Sequence, residues 1–189
     1  GTGLLSLMIA QRCDCSIDAV ELDEKSFKQA EKNVIESPWS HHIKVHHADI
    51  RSFHASQKYD LVICNPPFYE NHLRSISAAK NTAKHAAQLS FEELVDAIKR
   101  NLKPDGIFSV LLPANMNEKF TGLCETAQLN IAQQVLIRDN EAQDIIRIIT
   151  FFSFKIQQKA ESILLTIKDA AGNYSPQFTQ LLNPYYLHL

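Results

Sequence analysis

The sequence predicts an α/β fold with a mostly parallel sheet and helices on both of its faces. Short β-rich apolar runs alternate with segments of helical periodicity, and strands are followed by polar or acidic residues. Alternating strands and helices favour parallel pairing, because each helix carries the chain back across the sheet. Two further strands come late without an obvious helix between them, so we expect them to pair as an antiparallel hairpin.

The composition is typical of a globular chain. Its 189 residues are 45% hydrophobic and 21% charged, and no linker divides them, so we expect one domain over residues 1–189. No apolar run reaches the roughly 18 residues of a membrane span, and no secretory signal pattern is seen, which favours a cytoplasmic protein without membrane partners. A monomer is expected, but no sequence pattern specifies the oligomeric state. The formal net charge of −2 argues weakly against nucleic-acid binding. A local basic face, or one on a missing segment, would still permit it.

The elements of the first half follow from periodicity and from the residues that interrupt it. We predict a short helix over 4–12, a strand over 16–22 that ends in acid, and a helix over 24–36. The apolar face of that second helix holds four residues: Phe27, Ala30, Val34 and Ile35. The following Ser-Pro pair ends the helix, because the residue before proline is pushed out of the helical region. A strand is expected over 43–47.

In the second half, the apolar run from Tyr59 to Cys64 predicts a strand buried on both faces. Residues 71–89 are polar and are expected to form a long loop with some helix. Ser90 and Glu93 form a capping box that opens a helix reaching Leu102. Beyond a turn at 103–106, we predict these elements: strand 107–112, helix 115–128, strands 131–138, 146–156 and 162–168, and a short helix in the tail.

The most informative motif is Asn-Pro-Pro-Phe at 65–68, directly after the strand that ends at Cys64. Pro66 and Pro67 lack N–H groups and fix the backbone, so the Pro66 carbonyl and the Asn65 side chain offer two fixed acceptors. Two such acceptors suit a conjugated NH2 group, whose lone pair they would free for attack on an electrophilic methyl group. Phe68 would stack on a planar substrate.

This motif resembles motif IV of the class I, Rossmann-like amino-methyltransferases, which use S-adenosylmethionine. The resemblance implies that Gly1 and Gly3 end the glycine-rich cofactor turn, whose leading acid and first strand would precede this chain. It also implies that Glu21 with Leu22 holds the ribose, that Asp49 with Ile50 borders the adenine, and that Asn65 contacts the cofactor as well as the substrate. These residues would share the carboxyl edge of the sheet, where ligands bind in such folds.

The resemblance is closer to the bacterial valine-tRNA adenine-37 N6-methyltransferases. Segments 65–71, 83–85, 89–94, 147–154 and 174–187 carry it, although that family's N-terminal Lys-, Phe- and Gly-containing segment is absent. It implies methylation of a flipped tRNA adenine beside the anticodon, without a strong general base. Phe68 and Tyr69 would stack on the base, and Lys84 and His85 would lie in a basic loop that contacts RNA.

Several alternatives stay open. Related enzymes that act on release-factor glutamine N5 or rRNA guanine N2 carry nearly the same motif, so the motif indicates the amine chemistry but not the substrate. A catalytically inactive RNA-binding module or a nucleotide-dependent oxidoreductase would leave the paired prolines without a role. Neighbouring histidines in the 43–47 strand point to opposite faces, and we predict no metal site. The four cysteines lack a C-x-x-C pair and are expected to be reduced thiols.

Overall fold

The computed structural model describes residues 1–66, 89–156 and 160–186. By its internal contacts the chain divides into two compact units, Gly1–His54 and Ala55–Leu189. Each unit is described by itself. None of the described helices is long and apolar enough to cross a membrane.

The first unit consists of two helices and a two-stranded sheet. Its elements are α1 (Leu4–Ala10), β1 (Ile17–Glu21), α2 (Glu24–Ile35) and β2 (Ile43–His47). The strands pair in parallel, with Ile17 opposite Ile43, as the alternating pattern predicts. The prediction that Ile35 lies on the packed face of α2 was wrong, since its side chain is 68% exposed. α2 is buried through Ala30 and Val34, four residues apart on one face, and Ile35 lies about 100° further round the helix.

The second unit holds a five-stranded sheet and three described helices. Its elements are β3 (Tyr59–Cys64), α3 (Phe91–Asn101), β4 (Leu102–Pro113), α4 (Ala114–Thr126), β5 (Asn130–Arg138), β6 (Arg147–Ser153), β7 (Glu161–Thr166) and α5 (Pro176–Leu182). The strand order is β3-β4-β6-β5-β7. β3 pairs in parallel with β4, and β5 with β7, whereas β6 runs antiparallel to both of its neighbours.

This topology corrects the predicted late hairpin. β6 and β7 are not neighbours, because β5 lies between them. The antiparallel pairs join β6 to β4 and β5, and β7 returns parallel to β5. Periodicity identified both strands but carries no information on which strand each one joins.

Two local predictions for β3 and β4 were also wrong. β3 is the terminal strand of the described sheet, and its Leu61 and Ile63 are 46% and 40% exposed, so β3 is not buried on both faces within the described residues. Residues 103–106 do not separate a helix from a strand. They lie inside β4, where the register shifts from Leu102 opposite Tyr59 to Ile107 opposite Leu61. The turn residues are thus accommodated as an irregularity of the strand.

The core of the second unit lies between the sheet and helices α3 and α4. Phe108, Val110 and Leu112 alternate along β4 and pack in one cluster with residues of both helices. Phe108 stacks on Phe152 of β6 at 5.8 Å between ring centroids. The predicted capping box is confirmed: Glu93 N donates to Ser90 Oγ at 3.1 Å, and Ser90 N donates to Glu93 Oε2 at 2.8 Å. Val62 and Cys64 of β3 pack against this core, which therefore reaches the carboxyl end of β3.

Candidate active site

In the first unit, the N-terminal glycine turn lies beside the end of β1. The backbone nitrogen of Gly1 contacts Glu21 Oε2. Gly3 has φ +82°, a left-handed conformation that favours glycine, and a Cβ there would lie 3.4 Å from Cβ of Ala30 on α2. Asn33, one turn further along α2, donates to the Thr2 carbonyl at 3.0 Å. The turn is therefore held close to the helix that follows β1.

Glu21 is the acidic residue at the carboxyl end of β1. Its side chain is 17% exposed, and its Oε1 accepts a hydrogen bond from the Asp23 backbone N–H at 2.7 Å. The Leu22 side chain is 50% exposed, and its carbonyl lies 3.1 Å from His47 Nε2, which must carry the proton if the two are bonded. A carboxylate has about four acceptor positions, so Glu21 keeps capacity for hydroxyl donors.

Asp49 follows β2 at the same edge, where Ala48 N donates to the Glu21 carbonyl at 3.0 Å. Arg51 donates to both Asp49 oxygens: Nε lies 2.8 Å from Oδ2 and Nη2 lies 2.6 Å from it, while the Arg51 backbone N lies 2.9 Å from Oδ1. These hydrogen bonds from Arg51 lower the pKa of Asp49. Ile50, between them, is half-buried. The predicted cofactor residues Gly1, Glu21 and Asp49 thus share one edge of this sheet.

In the second unit, Asn65 and Pro66 follow β3 at the carboxyl edge of the five-stranded sheet. Cys64, the last residue of β3, is opposite Val110, so β4 continues beside the motif to Pro113. Pro66 is buried and Asn65 is exposed. The structure thus places both residues at the predicted strand end, and their role towards an amine stays a prediction.

Cys64 immediately precedes this motif, but its thiol is unsuited to act as a nucleophile. Burial raises its pKa to about 12. At neutral pH such a group is almost entirely the protonated thiol, whereas the thiolate is the reactive form. Cys64 is therefore a poor candidate for covalent catalysis at this strand end.

The remaining predicted site residues lie outside the described part of the chain. These are Pro67, Phe68, Tyr69, Lys84 and His85, together with the polar loop in which the last two fall. Among the described residues, no group of three or more His, Cys, Asp or Glu side chains is arranged to hold a metal ion.

The sequence reasoning missed three residues of the first unit that shape the site. Ala30 leaves room for the glycine turn, Asn33 anchors that turn, and Arg51 fixes the Asp49 carboxylate. The spacing Asp-x-Arg was visible in the sequence and could have suggested the last contact. The other two depend on the packing of α2, which periodicity alone does not specify.

The fold is that of known methyltransferases. A protein described as a predicted O-methyltransferase, from Agrobacterium tumefaciens, superposes with a TM-score of 0.72 at 16% identity, covering 100% of this chain and 87% of its own. A TehB-like S-adenosylmethionine-dependent methyltransferase from Corynebacterium glutamicum gives a TM-score of 0.52 at 14% identity, covering 82% and 73%. These likenesses confirm the predicted fold class, a Rossmann-like α/β methyltransferase fold.

Residues 1–126 match the methyltransferase small domain family, and the chain belongs to that family. Among its curated relatives, tRNA1(Val) (adenine(37)-N6)-methyltransferase of Dyadobacter fermentans is 37% identical over 99% of this chain and 80% of that enzyme. The enzyme of the same name from Bacteroides fragilis is 34% identical over 100% and 81%. The predicted family resemblance is confirmed, and the chain is an S-adenosylmethionine-dependent methyltransferase.

The residues of the first unit fit this cofactor. The Glu21 carboxylate can accept from a ribose diol, and the Asp49 carboxylate can accept from an adenine amine. Gly3 keeps the adjoining turn free of a side chain where it approaches Ala30. The first unit therefore offers two carboxylate acceptors and a turn in which Gly3 has no side chain. These groups suit a nucleoside, which carries hydroxyl and amine donors.

Proposed function

We propose that this enzyme transfers a methyl group from S-adenosylmethionine to N6 of the adenine at position 37 of valine tRNA. The observation that carries the proposal is the strand end at Asn65 and Pro66, one exposed and one buried, in a chain 37% identical to an enzyme named for that reaction. The cofactor, when bound, supplies a methyl group on a positively charged sulfonium. The reaction then requires an amine nitrogen that is correctly placed and free to attack.

Asn65 and Pro66 supply that placement. Their two oxygens accept the two hydrogens of the exocyclic amine, so that the nitrogen lone pair turns towards the methyl group. Because the leaving group is already activated, holding the amine in line supplies much of the rate. The proton leaves after transfer, and no strong general base is needed to remove it first.

The proposal assigns the rest of the acceptor site from the sequence. Pro67 fixes the motif, Phe68 and Tyr69 stack on the flipped adenine, and Lys84 and His85 contact the RNA. A stacked base gains about 1–3 kcal/mol, enough to offset much of the few kcal/mol needed to flip it from a single-stranded loop. Glu21, Leu22, Asp49, Ile50 and the turn at Gly1 and Gly3 hold the cofactor.

We further propose that residues 1–189 form one catalytic domain. The family match over 1–126 runs across the boundary between the two units at His54 and Ala55. The cytoplasm, where bacterial tRNA is modified, is the proposed location. Splitting the chain at that boundary should therefore abolish methyl transfer by either fragment alone.

The test is methyl transfer from labelled cofactor to an unmodified valine tRNA transcript, with a guanine-37 transcript as the matched control. Release factor and rRNA are run in parallel. The proposal expects N6-methyladenosine in the first transcript only. Label in the release factor alone would replace it by glutamine methylation, and label in rRNA alone would replace it by guanine methylation.

A further inference from the structure

We propose that Arg51 is a positioning residue for the cofactor: it holds the Asp49 carboxylate so that one acceptor position faces the adenine amine. The inference rests on the proposed role of Asp49. It concerns selectivity for the amine of the cofactor's base, and Arg51 itself need not touch the cofactor.

The hydrogen bonds around Asp49 carry the argument. Three N–H groups of Arg51 reach its carboxylate: the backbone N lies 2.9 Å from Oδ1, Nε lies 3.0 Å from Oδ1 and 2.8 Å from Oδ2, and Nη2 lies 2.6 Å from Oδ2. An ionised carboxylate offers about four acceptor positions. The contacts with Arg51 all approach the carboxylate from one side, so a further donor such as the adenine amine must approach from the other side.

The backbone around Asp49 is fixed as well. Ser52 N and Phe53 N both donate to the Asp49 carbonyl, at 3.1 and 2.9 Å. Ala48, the residue before it, is tied to the Glu21 carbonyl. With main chain and side chain both held, the carboxylate has little rotational freedom left, so binding a ligand costs little further ordering.

A second ion pair in the chain provides the contrast. Lys103 Nζ contacts both oxygens of Asp60, at 2.8 and 2.9 Å, but the Asp60 side chain is 84% exposed. The Asp49 and Arg51 side chains are only 26% and 31% exposed. A planar guanidinium also fixes a carboxylate more narrowly than a flexible ammonium group does. The Asp60 pair is therefore an ordinary surface contact, and its removal is the matched control.

The hydrogen bonds from Arg51 also lower the pKa of the Asp49 carboxyl. Replacing Arg51 with Met should raise the pKa of Asp49 towards its usual value. Carboxyl NMR titration of the protein without cofactor measures this change directly. The sign is definite: the variant's carboxylate takes up its proton at a higher pH than the parent's.

The decisive experiment compares two cofactor analogues by calorimetry. S-adenosylhomocysteine carries the base amine, and S-inosylhomocysteine carries a carbonyl in its place. A hydrogen bond to a charged group is typically worth about tenfold or more in affinity. The parent should prefer the first analogue by about that factor, Arg51→Met should lose most of the preference, Arg51→Lys should retain part of it, and Lys103→Met should retain all of it.

Two results would overturn the inference: an unchanged preference in Arg51→Met, or equal weakening of both analogues, which marks a merely structural role. If Arg51→Met does not fold, an unchanged preference in Arg51→Lys overturns the inference in its place. A different outcome would overturn the proposed role of Asp49. In that outcome the parent binds both analogues equally, and Asp49→Asn binds both with the parent's affinity.

Discussion

The two units carry their predicted site residues in different ways. In the first unit, Glu21 ends β1 and Asp49 follows β2 of a small two-stranded sheet, and hydrogen bonds from the Asp23 N–H and from Arg51 hold the two carboxylates. In the second unit, Asn65 extends from a strand whose neighbour, β4, is anchored by fully buried aromatic rings. The first arrangement suits affinity for a polar nucleoside, and the second suits the fixed geometry that a transfer step needs.

This difference separates affinity from rate. Residues that bind substrate and transition state equally change the affinity, whereas those that act on the reacting nitrogen change the turnover. If the comparison is correct, substitutions in the first unit should mainly change cofactor affinity. Substitutions at the Asn65 strand end should mainly change kcat.

The largest effect is expected from the core of the second unit. Phe152→Ala removes a fully buried ring that packs on Phe108 and Phe120, and we expect it to lower the free energy of unfolding by about 3–5 kcal/mol. Val34→Ala in the first unit should cost less, about 1–2 kcal/mol, because it removes only two methyl-sized groups. Urea denaturation measures both. Ile156→Ala, at an 85% exposed side chain, is the control and should change little.

Asn65→Ala should reduce kcat by about 100-fold, because the amine loses one of its two fixed partners and is misplaced for transfer. Steady-state kinetics with the tRNA substrate measures this. Asn183→Ala, which removes another exposed asparagine side chain, should leave kcat unchanged. A kcat within about threefold of the parent for Asn65→Ala would remove Asn65 from the reaction.

Glu21→Gln should weaken S-adenosylhomocysteine binding by roughly tenfold or more, because a charged acceptor becomes a neutral amide. The amide also accepts less strongly from the Asp23 N–H, which lies 2.7 Å from Oε1 in the parent. Calorimetry reports the Kd. Glu161→Gln, at the first residue of β7, is the matched control. Equal Kd values for Glu21→Gln and the parent would contradict the assignment of Glu21.

The smallest effect concerns the thiols. Burial raises the pKa of Cys64 and of Cys124 to about 12, and Cys13 is exposed. Because the thiolate is the reactive form and a raised pKa depletes it, alkylation at about pH 8 should modify Cys13 first. Mass spectrometry locates the label, and Cys13→Ser should remove the fast phase. Alkylation of Cys64 at the same rate as Cys13 would mean that the Cys64 thiol at the end of β3 is accessible to solvent, contrary to its burial in the structure.

Much of the fold could be predicted because it is local. Helical spacing located α2 and α3, and the capping box at Ser90 located the start of α3. The strand order, the exposure of Leu61 and the irregularity at 103–106 could not be predicted, since they depend on which strands meet.

The candidate site divides in the same way. Glu21, Asp49 and Asn65 are recognisable because each follows a strand or ends one. The hydrogen bonds from Arg51 to the Asp49 carboxylate depend on side-chain geometry, which a sequence pattern does not specify. The roles of these residues stay predictions until the variants are measured.

The most direct test of the separation between affinity and rate is single-turnover methyl transfer as a function of cofactor concentration, for Glu21→Gln and Asn65→Ala side by side. We expect Glu21→Gln to reach nearly the parent rate at saturating cofactor, with a half-maximal concentration about tenfold higher or more. Asn65→Ala should saturate near the parent's concentration but at a rate about 100-fold lower. A slow plateau for Glu21→Gln together with a normal plateau for Asn65→Ala would contradict the separation between cofactor affinity and transfer rate.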